Sequence, residues 1–145
     1  MEFSRHVTIN WTGSVMEGSG MVAAGSGAFS LPVTFPRRIG EPEGMTSPEE
    51  LMAAAHAACF AMALNGAVGR KGGSIAKTQI TCKVTADKGE AGIKITTSAL
   101  SLVAEGLTGI DAAAFQEVAK EAEQKCPVSN AYRGSMNVTL ETTVK

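Results

Sequence analysis

The sequence predicts an α+β fold, with antiparallel sheets wrapped around two inserted helices. Three features carry that reading. Strand-like stretches follow one another without the regular βαβ alternation of a doubly wound sheet. A strong helix start, Ser47-Pro48-Glu49-Glu50, opens an alanine-rich run near the middle of the chain. A second helical stretch stops at Pro127, and another strand-like segment follows it.

In order along the chain, His6 to Trp11 alternates loosely, and Gly18, Gly20, Gly25 and Gly27 punctuate short strands. Pro32 and Pro36 bracket an extended piece that ends at Arg37-Arg38, and Gly40 to Thr46 reads as a loop. At the helix start Ser47 caps, Pro48 fits the first turn, Glu50 completes a capping box, and two acidic groups suit the dipole. The helix runs to about Val68, where Gly69, Gly72 and Gly73 end it. Two strands follow. Ile80, Cys82, Val84 and Ala86 share a face of the first; a turn near Lys88 to Gly92 leads into the second, Ile93 to Val103. A second helix spans about Asp111 to Lys125, and the last strand Ser135 to Val144.

With 145 residues the chain fits a single domain, residues 1–145. Hydrophobic residues make up 44% and charged residues 19%, a globular balance. A net charge of −1, with Arg37-Arg38 and Arg70-Lys71 as the basic pairs, offers nothing to hold nucleic acid or an acidic membrane. Met1 to Arg5 does not read as a signal peptide. Leu51 to Val68 is the least charged run, but it carries His56 and Asn65 and is mostly alanine, which argues against a membrane span. Three cysteines in such a chain point to a reducing compartment, the cytoplasm, where a thiol is either buried apolar packing or a reactive centre. Two histidines and no CxxC or HExxH spacing leave no metal constellation, and no glycine-rich nucleotide loop occurs; no cofactor is expected.

The first helix concentrates the chemistry. Seven of the residues from Pro48 to Leu64 are alanine, so the helix is small on every side and lets neighbours approach closely; it should be central and packed all round, against its twin in a dimer. At 100° per residue Glu49, Met52, His56 and Cys59 fall within one quadrant. Cys59 is mid-helix, gains nothing from the helix dipole, and needs a nearby cation to be a thiolate. His56 is a neighbour three residues back. Arg38 is the stronger candidate, because a guanidinium stays charged when buried, and Glu49 is the natural carboxylate to hold it. Glu49 and Cys59 are ten positions apart, roughly 15 Å along a helix, so one site containing both needs two antiparallel copies of that helix. Cys126, at the end of the second helix, can be displaced by local fraying and suits a resolving thiol. Each residue also has a plainer reading: Cys59 and Cys126 as packing, His56 as a hydrogen-bonded interface residue, Arg37-Arg38 as a solvated pair. Cys82, alternating with Ile80 and Val84, reads as structural.

Thr46-Ser47-Pro48-Glu49-Glu50-Leu51, followed by Ala53-Ala54-Ala55-His56-Ala57-Ala58-Cys59-Phe60, resembles the signature of the OsmC/Ohr family, osmotically inducible protein C and organic hydroperoxide resistance protein. Cys126-Pro127-Val128-Ser129-Asn130-Ala131 is similar to the family's second-cysteine motif, and the two cysteines stand 67 positions apart. The similarity in element order runs from about Trp11 to Val144. The resemblance implies a thiol peroxidase acting on organic hydroperoxides, in oxidative and osmotic stress defence. It also implies an intertwined homodimer with the long helices at its centre and shared active sites at the interface. It gives the peroxidatic role to Cys59, the resolving role to Cys126 and the arginine-clamping carboxylate to Glu49. The Phe35-Pro36-Arg37-Arg38 context selects Arg38 as the arginine, with Arg37 as fallback, and with His56 favours the OsmC branch. An apolar substrate pocket lined by Met52, Phe60 and Met62 and a dithiol reductant, a dihydrolipoyl protein, complete the implied system.

Two other functions compete. A dimeric binding module for apolar ligands would leave both thiols inert. Acyl transfer by a Cys59–His56 pair would leave Cys126 idle and lacks an orienting carboxylate for the histidine.

Overall fold

The computed structural model describes residues 1–145, which divide into two compact units, Met1–Leu51 and Met52–Lys145. In the first unit β1 (Val7–Thr12), β2 (Ser19–Ala24) and β3 (Ser30–Val33) form an antiparallel sheet in that order. Every residue of β1 is exposed, and Val7, Ile9 and Trp11 lack cover. Beyond Val33 the chain departs from the extended segment predicted up to Arg38. It turns into a short helix, α1 (Phe35–Ile39), which carries both arginines. Thr34 makes this turn possible: its hydroxyl accepts the Arg37 N–H at 3.3 Å, and Pro36 sits in the first turn, where no N–H is needed.

The long helix α2 (Pro48–Arg70) begins in the first unit and continues through the second. Its start forms half of the predicted capping box. The Glu50 N–H donates to Ser47 Oγ at 3.1 Å, but the Glu50 carboxylate accepts the Thr46 hydroxyl at 2.8 Å instead of turning back to Ser47. At the other end Gly72, with φ +79°, lets the chain reverse so that the Gly73 N–H reaches the Val68 carbonyl at 3.0 Å.

In the second unit β4 (Ser74–Gly89) and β5 (Gly92–Thr108) form a long antiparallel hairpin with an irregularity between Thr85 and Ala86. The chain then crosses over through α3 (Ala112–Lys125) and α4 (Pro127–Tyr132) and returns as β6 (Asn137–Val144), parallel to β5. The sheet is therefore mixed, because a connection through two helices delivers the last strand in the same direction as β5. Asp111 caps α3 by accepting the Ala114 N–H at 2.7 Å. Pro127, expected only to stop α3, also starts α4: its fixed φ and missing N–H suit a first helical turn.

The core gathers Phe60, Leu64 and Val68 of α2, Leu100, Leu102 and Ala104 of β5, and Phe115, Val118, Ala119, Ala122 and Cys126 of α3 and its end. On α2 the buried residues are His56, Phe60, Leu64 and Val68, one stripe at steps of four. Within one chain, then, α2 is not packed all round as its composition suggested; Ala54, Ala55, Ala58 and Met62 face outward. By length and composition alone, with a mean hydropathy of 1.6, α2 could cross a bilayer.

Candidate active site

The first unit holds an arginine–carboxylate pair. Arg38 of α1 donates through Nε to Oε1 and Oε2 of Glu49, at 3.0 and 3.1 Å, and through Nη2 to Oε1 at 2.7 Å. Both side chains are largely withdrawn from water, 26% and 15% exposed, so the pair keeps much of its strength. Hydrogen bonding to Glu49 raises the Arg38 pKa against the opposing effect of burial, and the carboxylate's charge adds to the rise. Burial works to raise the Glu49 carboxyl. The Arg38 hydrogen bond, the residue's own backbone N–H and the guanidinium charge outweigh it, so the carboxyl ends below its ordinary value. Arg37 points elsewhere and pairs with the exposed Glu43 at 2.7 Å. Beside Arg38 lies a cavity of about 350 Å³ walled by Ile9, Trp11, Val15, Val33 and Phe35.

The second unit holds the thiols. Cys59 of α2 packs against the core cluster that includes Cys126, the joint between α3 and α4, close enough that Cys126 and the Val128 N–H both bear on its ionisation. Burial pushes the Cys59 thiol up, the Val128 N–H pulls it down, and Cys126 pushes it up again through its hydrogen bond and charge; the net is a pKa above the ordinary range. Cys126 is fully buried, not frayed, because α4 continues the chain immediately behind it. No fraying is needed to bring the two sulfurs together.

His56, one turn before Cys59, is fully buried and satisfied at both ring nitrogens. Nδ1 meets Ser98 Oγ at 2.6 Å and Nε2 meets Ser129 Oγ at 2.7 Å. Burial lowers its pKa, with Glu123 working to raise it and Arg133 to lower it, so the ring is held neutral. With both nitrogens occupied it is no general base for Cys59, which removes the acyl-transfer arrangement. Cys82 of β4 joins the same polar cluster, 3.3 Å from Ser98 Oγ and 3.7 Å from His56 Nδ1; burial pushes its thiol up and Ser98 partly offsets this. Ser98 and Ser129 were not anticipated. Ser98 stands in a strand 42 positions from His56, with no signal to mark it, whereas Ser129 lay in plain view inside the Cys126-Pro127-Val128-Ser129 motif.

The three expected pocket residues do not converge. Phe60 is fully buried in the core of the second unit, while Met62, two residues on and roughly 200° round the helix, is 75% exposed. Met62 lines a separate groove with Ala63, Gly66, Ala67 and Val118. Met52 is half-buried and gives its carbonyl to Tyr132 Oη at 2.9 Å.

A family model described as OsmC-like protein matches residues 40–141, a span that includes Glu49 and all three cysteines. Peroxiredoxin OsmC of Escherichia coli (strain K12) is 40% identical over 138 residues, covering 94% of this chain and 93% of the relative. An organic hydroperoxide resistance protein of Xanthomonas axonopodis pv. citri (strain 306) is 32% identical over 125 residues, 83% of this chain and 84% of the relative. Among solved structures, an organic hydroperoxide resistance protein OsmC from Legionella pneumophila superposes with a TM-score of 0.71 at 29% identity, covering 95% of this chain and 96% of that one.

Proposed function

From the premise that this chain belongs to the OsmC-like protein family, we propose that it is a cysteine peroxidase reducing organic hydroperoxides to alcohols, in oxidative and osmotic stress defence. The observation that carries this reading is the packing of Cys59 against the core cluster that holds Cys126, with the two thiols near enough to affect one another. A buried thiol whose neighbour is a second thiol is arranged for disulfide closure.

The cycle conserves atoms and electrons. The Cys59 thiolate attacks the distal peroxide oxygen, the O–O bond breaks, and the alkoxide takes a proton and leaves as the alcohol. Cys59 is now a sulfenic acid. The Cys126 thiol attacks it, an S–S bond forms, and water leaves. An external dithiol, a dihydrolipoyl protein, reduces the disulfide by thiol exchange.

Cys59 needs a cation, since its surroundings in the second unit hold its pKa high. Arg38 supplies it. Glu49 occupies Nε and Nη2, and Nη1 remains free to face a thiolate and a peroxide oxygen. Because Glu49 and Cys59 are roughly 15 Å apart along α2, the arginine belongs to a second copy of the chain, and the working protein is an intertwined homodimer with two shared sites. The uncovered apolar residues of β1 and the outward alanines of α2 support that assembly. In the dimer each chain acts as a single OsmC-like domain, residues 1–145.

The alkyl group of the hydroperoxide lies in the cavity of Ile9, Trp11, Val15 and Phe35 next to Arg38. Of the residues expected from the sequence to line it, Phe60 is committed to the core of the second unit, and Met52 and Met62 are accessible enough to meet a substrate only from a second chain. The protein works in the cytoplasm, where dithiol reductants are maintained.

The test is one equivalent of cumene hydroperoxide on reduced protein, followed by disulfide mapping by mass spectrometry. A Cys59–Cys126 bond within one chain, with Cys82 free, is the expected result. Unreacted thiols at that dose would leave the fold serving as a binding scaffold for apolar ligands.

A further inference from the structure

The α4 segment lies on α2 through three matched contacts, each one turn from the next. Cys59 packs against the cluster that holds Cys126, His56 bonds Ser129, and the Met52 carbonyl accepts from Tyr132. Position rises along α4 as it falls along α2, which is how two antiparallel segments in register pair. The middle contact is the one anchored elsewhere in the fold. His56 is bonded on its other side to Ser98 of β5, and Ser98 to Cys82 of β4, so a polar chain runs from the long hairpin through α2 to α4. His56, Ser98 and Ser129 are all fully buried, and no buried polar side-chain atom in the protein lacks a partner.

Such a chain is costly to break and fixes its members in place. Serine–histidine bonds do no chemistry on a peroxide, and both nitrogens of the neutral ring are committed to serines, leaving neither to exchange a proton with Cys59. What the chain does fix is the placement of the Cys126-Pro127-Val128 corner, three residues from Ser129, against a sulfur three residues from His56.

We infer that His56, through Ser129, is a positioning residue for disulfide closure: it holds the Cys126 corner on Cys59 so that the sulfenic acid is captured before a second peroxide reaches it. This deepens the peroxidase reading and rests on it. Two reactions compete for the sulfenic acid. Attack by the Cys126 thiol gives the disulfide and water. Attack on a second hydroperoxide gives sulfinic acid and a second alcohol, and inactivates the site. The ratio of the two products is decided after the first oxidation and is independent of how fast that oxidation occurs.

The experiment is intact-mass analysis of Cys59 after exposure to rising concentrations of cumene hydroperoxide, in wild type, Ser129→Ala and Ser129→Thr. Wild type should convert to disulfide with little sulfinic acid. Ser129→Ala should raise the ratio of sulfinic acid to disulfide about tenfold at matched peroxide, the scale of one lost buried hydrogen bond. Ser129→Thr, which keeps the hydroxyl, should restore the wild-type ratio. An unchanged ratio in folded Ser129→Ala overturns the positioning role while leaving the peroxidase reading intact. A wild-type protein that forms no disulfide overturns both.

Discussion

Arg38 gives Nε and Nη2 to the Glu49 carboxylate and keeps Nη1 without a protein partner. A guanidinium held along one edge and free along another is an anion site with its orientation already fixed. Glu49 stays ionised throughout the neutral range, because its pKa is lowered from the ordinary carboxylate value. The pair therefore sets no acid limit on activity above about pH 5.

The first prediction concerns this pair. Arg38→Ala should move the midpoint of the pH–rate profile for Cys59 oxidation upward and slow attack at pH 7 about 10- to 100-fold, the scale of a lost charge-assisted bond. Arg38→Lys should recover part of the loss, since a lysine cannot hold Glu49 and reach an anion with the same fork. Stopped-flow oxidation from pH 6 to 10 measures both. An unmoved midpoint in Arg38→Ala rules the residue out as thiolate partner.

The proposed disulfide closure depends on the Cys126 sulfur. Cys126→Ser should permit one oxidation of Cys59 and then accumulate sulfinic acid, with multiple turnover falling to background. Cys59→Ser should abolish even the first event. Titrating free thiols against added peroxide distinguishes the two, and turnover by the Cys126→Ser protein would contradict the resolving role.

His56 makes stability fall in mild acid. Its folded pKa is lowered chiefly by burial, so the unfolded chain takes up a proton that the native ring refuses. The contribution is fully present above the unfolded value of about 6.5. It is lost progressively as pH falls from there through the lowered folded value, at a slope of at most about 1.4 kcal/mol per pH unit. Urea denaturation at pH 8, 7, 6 and 5 measures the slope. A flat profile between pH 7 and 5 would mean that the native ring protonates as readily as the unfolded one.

Cys82→Ser should retain peroxidase activity, because the hydrogen-bond partners of Cys82 are Ser98 and His56, not the two cysteines of the proposed cycle. The small hydroxyl can keep the bond to Ser98, so the stability change should stay within about 1 kcal/mol. Steady-state turnover and thermal unfolding together check this; loss of activity in a folded protein would move Cys82 into the redox centre.

Local signals made α2, α3 and the hairpin legible from sequence. Ser47-Pro48 starts one helix, Asp111 caps the next, and Cys82 alternates with its apolar neighbours. In the Arg38–Glu49 pair, Glu49 was legible as the natural carboxylate for a buried guanidinium, whereas Arg38 was chosen over Arg37 by the resemblance of the Phe35-Pro36-Arg37-Arg38 context. The short helices α1 and α4 were not: five and six residues carry no periodicity, and Pro36 and Pro127 read as well for extended chain or a stop as for a first turn. The parallel course of β6 depends on where a crossover lands, and the burial of Phe60 on which side of α2 the sheet takes. Neither is written in neighbouring residues.

The outward alanines of α2 have a consequence for how the surface can evolve. A partner closing over them immobilises no rotamers, because alanine has none to lose, so association there costs little conformational entropy. The same smallness removes any slack. In the proposed dimer, a leucine or lysine at Ala54, Ala55 or Ala58, all exposed in the single chain, would prop a close helix–helix contact open instead of adapting to it.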